Sequence, residues 1–383
     1  MTSYKNIFII IPVLLCTIFT TSHANQEVGN RSPILLGQSC VLTGPAKDLG
    51  IEMRGGLIAA FAKANEEGGI QGREILLKSK DDGYEPDKAI KNTLEFITED
   101  QVFMLIGEVG TPTSKAVIPL VEKNKIPFFA PFTGAEFLRN PFRKYVINIR
   151  ASYFQEMERL ASYLIGKKKL TRIACFYQND SYGFAGLQGI KKALAKRNME
   201  LVSTGSYERN TVAVMGAIND IYKASPEAVV LVGAYSACAE FIKLSENMVG
   251  KDIIFGNISF VGTDSLKETL GSYGANVVVT QVVPIPQDGS LPIIQEYQEA
   301  MKKYQHDVPI SFTSLEGYIA GTLFHRIAQG VEGALTREKF IDTMQNQGRF
   351  ELGGLTLNFG KDDHQGLDTV YLTRIYPKTE EIE

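Results

Sequence analysis

Two threonines occupy positions where apolar segments of the chain give way to short polar ones. Thr111 follows the apolar run 102–107, and Thr133 follows the run 127–131. Threonine and proline are common at the first positions of a helix, where free backbone N–H groups and the helix dipole attract an anion. The pattern therefore predicts two adjacent helix starts that bind a carboxylate, although two ordinary helix caps in an α/β protein would have the same sequence.

Two tyrosines and a serine occupy similar positions further along the chain. Tyr182, Tyr235 and Ser259 each follow a short apolar run. In an open parallel sheet the carboxyl ends of the strands lie at one edge, and ligands bind there. Tyrosine combines an apolar face with a polar hydroxyl, which suits a small amphiphilic ligand. We therefore expect Tyr182 and Tyr235 to face the two threonines across a cleft, unless each is an ordinary boundary residue.

The elements that position these residues alternate between strand and helix patterns. Apolar runs of strand length alternate with runs of helical periodicity, and this alternation is typical of parallel sheets with helices on both faces. We predict an α/β clamshell of two doubly wound parallel-sheet lobes joined by a three-stranded hinge. Lobe 1 is expected at 31–149 plus 283–353, and lobe 2 at 150–282 plus 354–383.

The composition indicates a globular protein with an N-terminal leader. The chain has 383 residues, of which 44% are hydrophobic, and this length suits two domains. The apolar run 7–19 and the small residues up to Ala24 predict a secretory signal peptide at 1–24, too short for a membrane span. Without it, 39 basic and 43 acidic side chains remain, net −4, which argues against nucleic acid or an anionic membrane as partner.

The sequence offers few candidates for catalysis or metal binding. No nucleophile elbow, Walker loop or zinc-binding helix motif is present, and Asp81-Asp82 is best interpreted as a turn that enters a helix. Neither the histidines nor the cysteines have metal-ligand spacing, so we interpret the cysteines as buried thiols. We expect no enzyme activity, no cofactor and no metal. The mature chain keeps His306, His325, His364, Cys40, Cys175 and Cys238.

Several short motifs, in this order and at this spacing, resemble the type I periplasmic solute-binding proteins of ABC importers, in the leucine/isoleucine/valine-binding branch. The resemblance extends over about 34–376, nearly the whole mature chain. Each motif alone is weak, but the series is specific for a fold and a general role. Its carriers are Leu42-Thr43-Gly44-Pro45, the segment 65–73, Asp81-Asp82-Gly83-Tyr84-Glu85-Pro86, Ile106-Gly107 with Thr111-Pro112-Thr113, Pro131-Phe132-Thr133-Gly134, Arg150-Ala151-Ser152-Tyr153, Asp180-Ser181-Tyr182-Gly183 and Glu316-Gly317-Tyr318-Ile319-Ala320.

The resemblance also implies roles for individual residues. In this family a hydroxyl residue after the third strand, and main chain plus hydroxyl after the fourth, hold a ligand carboxylate beside an apolar wall, and aromatic residues of the second lobe close the pocket. Ser259 lies at the end of a further strand of that lobe. The ligand-binding residues expected on this basis are Val109, Gly110, Thr111, Phe132, Thr133, Gly134, Tyr182, Tyr235 and Ser259.

One departure from the family bears on the ligand. Amino-acid binders of this family place an acid where this chain has the uncharged segment 257–259. A buried ammonium without a carboxylate is costly. Either Glu108, Glu156 or Glu316 substitutes, or the ligand is a non-amino organic acid, an amide or another small polar metabolite. Arg150 and Glu156 either clamp the hinge or are solvated charges.

These expectations describe a periplasmic substrate-binding component of an ABC importer. It captures a small carboxylate-bearing solute, such as a branched-chain or other amino acid, an organic acid or an amide. Its expected partners are that ligand and an inner-membrane ABC permease, without nucleic acid or direct membrane insertion, and a monomer is expected. The alternative is a ligand-sensing periplasmic protein of the same fold that acts on a signalling partner.

Overall fold

The computed structural model describes residues 1–2 and 32–376. The predicted signal peptide at 1–24, apart from its first two residues, lies outside this range. The helices within it are α1 Lys47–Glu66, α2 Pro86–Thr98, α3 Thr111–Asn124, α4 Tyr153–Ala161, α5 Ser181–Ala195, α6 Met215–Tyr222, α7 Tyr235–Val249, α8 Thr263–Leu270, α9 Pro292–Tyr304, α10 Phe312–Gln329 and α11 Arg337–Gln347.

The strands form two main sheets and one small one. Within the described residues they are β1 Ile34–Cys40, β2 Ile75–Asp81, β3 Met104–Ile106, β4 Phe128–Phe129, β5 Val146–Ile147, β6 Ile173–Gln178, β7 Ser203–Tyr207, β8 Ala228–Val232, β9 Ile254–Asn257, β10 Val277–Gln281, β11 Arg349–Leu352, β12 Leu355–Asn358 and β13 Tyr371–Arg374.

Both main sheets consist mainly of parallel strands, as the sequence predicts. The five-stranded sheet has the order β2-β1-β3-β4-β5, and the six-stranded sheet has the order β13-β10-β9-β8-β6-β7. All pairs are parallel except that of β10 with β13. The α/β fold class is therefore confirmed. We call the part around the five-stranded sheet lobe 1 and the part around the six-stranded sheet lobe 2.

Strands buried on both faces account for the near-continuous apolar runs. β8 is buried at every residue, as expected for a central parallel strand covered by helices on both sides. Late in the chain, α10 packs closely on α1. A Cβ at Gly56 of α1 would lie only 1.9 Å from the Ser314 carbonyl oxygen, and one at Gly317 of α10 only 2.3 Å from that of Met53. The two helix backbones therefore approach at glycines, and α10 completes lobe 1.

The end of the chain combines a hairpin with an antiparallel edge strand. β12 pairs with β11 in a separate two-stranded sheet, with Phe350 opposite Leu357. The turn between them consists of Gly353 and Gly354, which both have positive φ. The chain then crosses to lobe 2, where β13 pairs with β10. The residue boundaries of the two lobes given above stay a prediction.

One expectation about local structure is wrong. The segment after β4 does not start an α-helix; it forms a loop and a three-residue 3-10 turn at Glu136–Leu138. The Thr133 hydroxyl accepts a hydrogen bond from the Ala135 N–H at 3.3 Å, so the threonine stabilises a turn. Only Thr111 of the two threonines therefore lies at a helix start.

The cysteines among the described residues are free and buried, which confirms their interpretation as core thiols: Cys40, Cys175 and Cys238. Among the described helices, none has the length and apolar character needed to cross a membrane.

Candidate ligand-binding site

The two threonines meet in a buried cluster of three hydroxyls. The Oγ1 atoms of Thr111 and Thr133 lie 2.6 Å apart. The hydroxyl of Tyr153, the first residue of α4, lies 3.3 Å from Thr111 Oγ1 and 3.2 Å from Thr133 Oγ1. All three side chains are buried. Hydroxyl groups can rotate to donate or accept, so the cluster can present O–H donors to an anion.

The start of α3 adds backbone donors to this cluster. Its cap residue is Gly110, whose φ of 115° favours glycine, and no side chain caps the helix. The Thr113 hydroxyl bonds to the carbonyl oxygens of Val109 and Gly110, so it does not reach the N–H groups of the first turn. Those N–H groups and the positive end of the helix dipole therefore lie beside Thr111.

Aromatic residues from both lobes surround the hydroxyl cluster. The ring of Tyr182, which lies in the first turn of α5, is 5.6 Å from that of Tyr153 and 4.5 Å from that of Phe260. Phe260 also lies 5.4 Å from Phe132 and 6.1 Å from Tyr84. Tyr182 is fully buried, and its hydroxyl has no hydrogen-bond partner in the described part of the chain. We call this buried contact between the lobes the interlobe seam.

A buried arginine adjoins the seam. The Arg150 guanidinium lies over the Phe132 ring, 4.6 Å from its centroid, and donates to the Ser259 hydroxyl. Its Nε is 3.5 Å from a carboxylate oxygen of Glu316 in lobe 1, and its Nη2 is 3.9 Å from one of Glu156 in lobe 2. Because all of these charges are buried, the interpretation of Arg150 and Glu156 as solvated is wrong. They connect the two lobes beside the first crossing.

Burial and mutual attraction set the charge of this group. Burial raises the pKa of Glu316 to about 7, although Arg150 acts to lower it. Burial likewise raises the pKa of Glu156, again opposed by Arg150. For Arg150 itself, burial acts to lower the pKa, but the carboxylates of Glu316 and Glu156 more than offset this, so the pKa is raised and the guanidinium stays charged.

The structure brings most of the predicted residues together but not all of them. Phe132 forms an isolated bridge with Val109 that holds the two loops side by side. Gly134 accepts a hydrogen bond from the Tyr153 N–H at 2.7 Å. Ser259 donates to Glu156 and accepts from Arg150, so its hydroxyl is already in use.

Tyr235 lies apart from the hydroxyl cluster. A Cβ at Gly262 would lie 3.7 Å from the Tyr235 ring and 2.5 Å from Leu49, which places this tyrosine against the start of α1. Burial, followed by the bond to Asp48, raises the pKa of its hydroxyl. Tyr235 makes no ring contact with Tyr182 within the ranges that the structure describes. Its position is at the rim, where α7 meets lobe 1.

The two lobes also touch around the seam. Tyr84 of lobe 1 accepts a hydrogen bond from Gln178 of lobe 2 at 3.3 Å. Arg209 of lobe 2 donates to Glu85 of lobe 1 at 2.7 Å. Ser265, in the first turn of α8, donates to the buried Glu52 of α1 at 3.0 Å. The arrangement is therefore a closed one, in which the predicted cleft is shut.

Sequence reasoning missed three aromatic residues of the seam: Tyr84, Tyr153 and Phe260. Tyr84 and Tyr153 belong to two of the family motifs described above, and Phe260 directly follows the predicted site residue Ser259. Their side chains reach the site only through tertiary packing. A Cβ at Gly110 would lie 2.3 Å from the Tyr84 ring, so a glycine next to Thr111 is the signal for this close approach.

Histidines and metal-ligating groups lie elsewhere. His364 bonds to the Val146 carbonyl oxygen at 3.1 Å, and half-buried His325 bonds to that of Gly69 at 3.3 Å. His306 is exposed and contacts Asp307. Within residues 1–2 and 32–376, no group of three or more His, Cys, Asp or Glu side chains could hold a metal ion.

Comparison with known proteins gives consistent matches. The family model described as periplasmic binding protein matches residues 33–380. Leu/Ile/Val-binding protein homolog 7 of Brucella abortus (strain 2308) is 25% identical over 313 residues, which cover 78% of each chain. The crystal structure of a possible leucine/isoleucine/valine-binding protein from Rhodopirellula baltica SH 1 is 36% identical, with a TM-score of 0.86 over 90% of this chain and 94% of that chain. A solute-binding protein of an ABC transporter from R. palustris, solved with benzoate, is 20% identical, with a TM-score of 0.80 over 90% of this chain and 93% of that chain.

Proposed function

Because the chain belongs to the periplasmic binding protein family, of the leucine/isoleucine/valine-binding type, we propose that it is the periplasmic substrate-binding component of an ABC importer and captures a small carboxylate-bearing solute between its lobes. Its relatives are named Leu/Ile/Val-binding proteins, and a protein of similar fold was solved as the solute-binding part of an ABC transporter. The partner would be an inner-membrane permease, and the location would be the periplasm after removal of the signal peptide.

The observation that carries this proposal is the buried hydroxyl cluster shared by both lobes. Thr111 and Thr133 belong to lobe 1, while Tyr153 starts a helix of lobe 2. Three hydroxyls beside an uncapped helix start suit a carboxylate, because charge-assisted hydrogen bonds are stronger than neutral ones. A ligand held here would contact both lobes at once, and its binding would therefore favour the closed form.

Closure would then follow from binding by population shift. A ligand can move the open and closed equilibrium only by the free energy that it gains in the closed form over the open one. The contacts of Gln178 with Tyr84 and of Arg209 with Glu85 join the two lobes, and they would break if the lobes moved apart. An affinity near micromolar, about 8 kcal/mol, would suit uptake.

We further propose that the protein binds its ligand without changing it. The hydroxyls of Thr111, Thr133 and Tyr153 bond to one another, whereas the described histidines bond to backbone or to surface groups. A nucleophilic hydroxyl needs an adjacent base. Release of the intact ligand after denaturation would agree with this proposal, and recovery of a converted product would contradict it.

The carboxylate site is tested by removing both threonine hydroxyls. Thr111→Val with Thr133→Val keeps the shape of the side chains but removes two donors, each of which is worth about 1.5–3 kcal/mol to a charged partner. We expect at least a hundredfold loss of affinity in calorimetry. The matched control is Thr93→Val, a buried threonine of α2. Unchanged affinity in the double variant would reject this site.

Ligand discovery and transport complete the test. A thermal-shift screen over amino acids, organic acids and amides should find solutes that raise the unfolding temperature. Uptake of such a solute should then fail in a strain that lacks the gene. Normal uptake combined with the loss of a response to the solute would instead favour the ligand-sensing alternative.

A further inference from the structure

Two acids near the seam, Glu156 and Glu316, are already paired with Arg150 within the protein. Glu156 accepts from the Ser259 N–H at 2.8 Å, from the Ser259 hydroxyl at 3.0 Å and from the Thr280 hydroxyl at 2.6 Å. It is also within ion-pair distance of Arg150. Glu316 is paired with the same arginine. Glu156 is therefore bonded within the protein, and Glu316 is engaged by the ion pair alone, since its Oε1 has no hydrogen-bond partner among the described residues.

Glu108 does not replace them. It is buried, and its pKa is raised well above the ordinary value, first by burial and then by the charge of Asp82, with a smaller opposing effect from the Ser39 backbone. These neighbours place its carboxyl group by the ends of β1 and β2. The raised pKa favours the neutral carboxyl group, which balances an ammonium less well than a carboxylate does.

Two donor side chains at the seam, Arg150 and Tyr182, keep buried polar atoms without a hydrogen-bond partner among the described residues. Arg150 is fully buried, and its Nη1 has no hydrogen-bond partner among the described residues, while its Nε faces the Glu316 carboxylate at 3.5 Å as an ion pair without a hydrogen bond. Its Nη2 holds Ser259, and its face covers Phe132. Both contacts are with residues that the sequence placed in the ligand site. Across the seam, the Tyr182 hydroxyl is also buried without a partner.

We infer that the solute is a carboxylate without an ammonium group, and that Arg150 donates a hydrogen bond to an acceptor oxygen on its second functional group, as in a 2-oxo or 2-hydroxy acid. This inference rests on the proposed function. An α-amino acid would place its ammonium in this buried seam beside the charged Arg150, and the nearby acids Glu156 and Glu316 are already paired with that arginine. A buried charge without a partner of its own is costly. A carbonyl or hydroxyl oxygen instead satisfies a buried donor.

Matched ligands on one carbon skeleton provide the first test. Calorimetry compares leucine, 4-methyl-2-oxopentanoate, 2-hydroxy-4-methylpentanoate and 4-methylpentanoate, and a second series uses phenylalanine, phenylpyruvate, phenyllactate and phenylpropionate. In at least one series, we expect the oxo or hydroxy acid to bind at least tenfold more tightly than both the amino acid and the unsubstituted acid. Tightest binding of the amino acid, no preference over the unsubstituted acid, or no binding at all would overturn the inference.

Substitution of Arg150 separates a ligand contact from a structural role. Arg150→Lys keeps the charge but removes the planar donor geometry, and Arg150→Met with Glu316→Gln removes the charge together with one paired acid. We expect the preference for the oxo or hydroxy acid over the unsubstituted acid to fall at least tenfold. A merely structural role would weaken all the ligands equally, and an unchanged preference would overturn the inference. If the variant that carries Arg150→Met and Glu316→Gln does not unfold cooperatively, the ligand preference of Arg150→Lys alone decides the test.

The two proposals fail in different ways. The variant that carries Thr111→Val and Thr133→Val should weaken every carboxylate in a series and leave the preference unchanged, because it removes donors to the group that all members share. If that result fails, the proposed carboxylate site is wrong. If it holds while the amino acid binds most tightly, only the assignment of Arg150 and the ligand class is wrong.

Discussion

Two buried tyrosines of the seam differ in whether their hydroxyl group forms hydrogen bonds. The Tyr153 hydroxyl bonds to both Thr111 and Thr133, whereas the Tyr182 hydroxyl has no partner within the described ranges. Burial raises the pKa of both groups, so both stay protonated at neutral pH. A buried hydroxyl without a partner costs free energy that a bonded one does not.

This difference predicts opposite effects of one substitution. Tyr153→Phe should lower the free energy of unfolding of the ligand-free protein by about 1 kcal/mol, since it removes made hydrogen bonds. Tyr182→Phe should leave it unchanged or raise it, because it removes only an unsatisfied group. Urea unfolding measures both, and each variant serves as the control for the other. A larger loss for Tyr182→Phe would contradict the hydrogen bonding described here.

At the scale of residues, the sequence predicted where side chains lie better than it predicted which residues they contact. Thr111, Thr133 and Tyr182 could be placed because residues after parallel strands share one sheet edge. Their actual partners, Tyr153 and Phe260, come from segments distant in sequence, and only packing brings them close. Ser259, predicted as a ligand-binding residue, lies beside the seam, but its hydroxyl is bonded to Glu156 and Arg150, so its role with a ligand stays a prediction.

At the scale of elements, helix and strand types were predictable where periodicity was strong. The long helix α1 and the buried strand β8 follow directly from their apolar patterns. The loop after β4 was not predictable, because threonine stabilises turns as well as helix starts. The pairing of β11 with β12 also escaped the sequence analysis, since the short alternating strand β11 resembles the end of the preceding helix.

The contact between α1 and α10 gives a prediction about element packing. Gly317→Ala would place a methyl group 2.3 Å from the Met53 carbonyl oxygen, so the helices must move apart. We expect a loss of about 1–3 kcal/mol in the free energy of unfolding, typical of overpacking. Urea unfolding measures the loss.

The matched control is another helical glycine. Gly216 lies in α6, is exposed, and has no atom within 4 Å of an added Cβ. Gly216→Ala should therefore be neutral or stabilise by up to about 1 kcal/mol, because alanine has the higher helix propensity. Equal effects at the two positions would show that the close approach of α10 to α1 has no energetic consequence.

At the scale of the whole molecule, the lobes are joined by a buried acid as well as by the seam. Glu52 of lobe 1 accepts from Ser311 of the same lobe at 2.7 Å and from Ser265 of lobe 2 at 3.0 Å. Nearby, Asp264 of lobe 2 accepts from the Phe312 N–H of lobe 1 at 3.1 Å. Burial raises the pKa of Asp264, and the pKa of Glu52 rises to about 7 for the same reason.

The raised pKa of Glu52 predicts a fall in stability as pH rises. Between the ordinary value of 4.5 and the folded value of about 7, the folded protein keeps a proton that the unfolded chain releases. Stability from this group is therefore fully present below pH 4.5 and is lost as pH rises through about 7. The loss amounts to at most about 3 kcal/mol, at 1.36 kcal/mol per unit of pKa.

Glu52→Gln isolates this contribution from those of the other buried acids. Glu316 and Asp82 also have raised pKa values, of about 7 and about 6, so the wild-type protein should lose stability over the same range for several reasons. The Glu52→Gln variant should show a smaller fall in unfolding temperature between about pH 5 and about pH 8 than the wild-type protein does. The exposed Glu299→Gln serves as control and should follow the wild type.

Because the Ser265 bond joins the lobes, the closed form should lose stability together with the fold. An identical pH dependence in the Glu52→Gln variant would show that this acid is not the group that titrates.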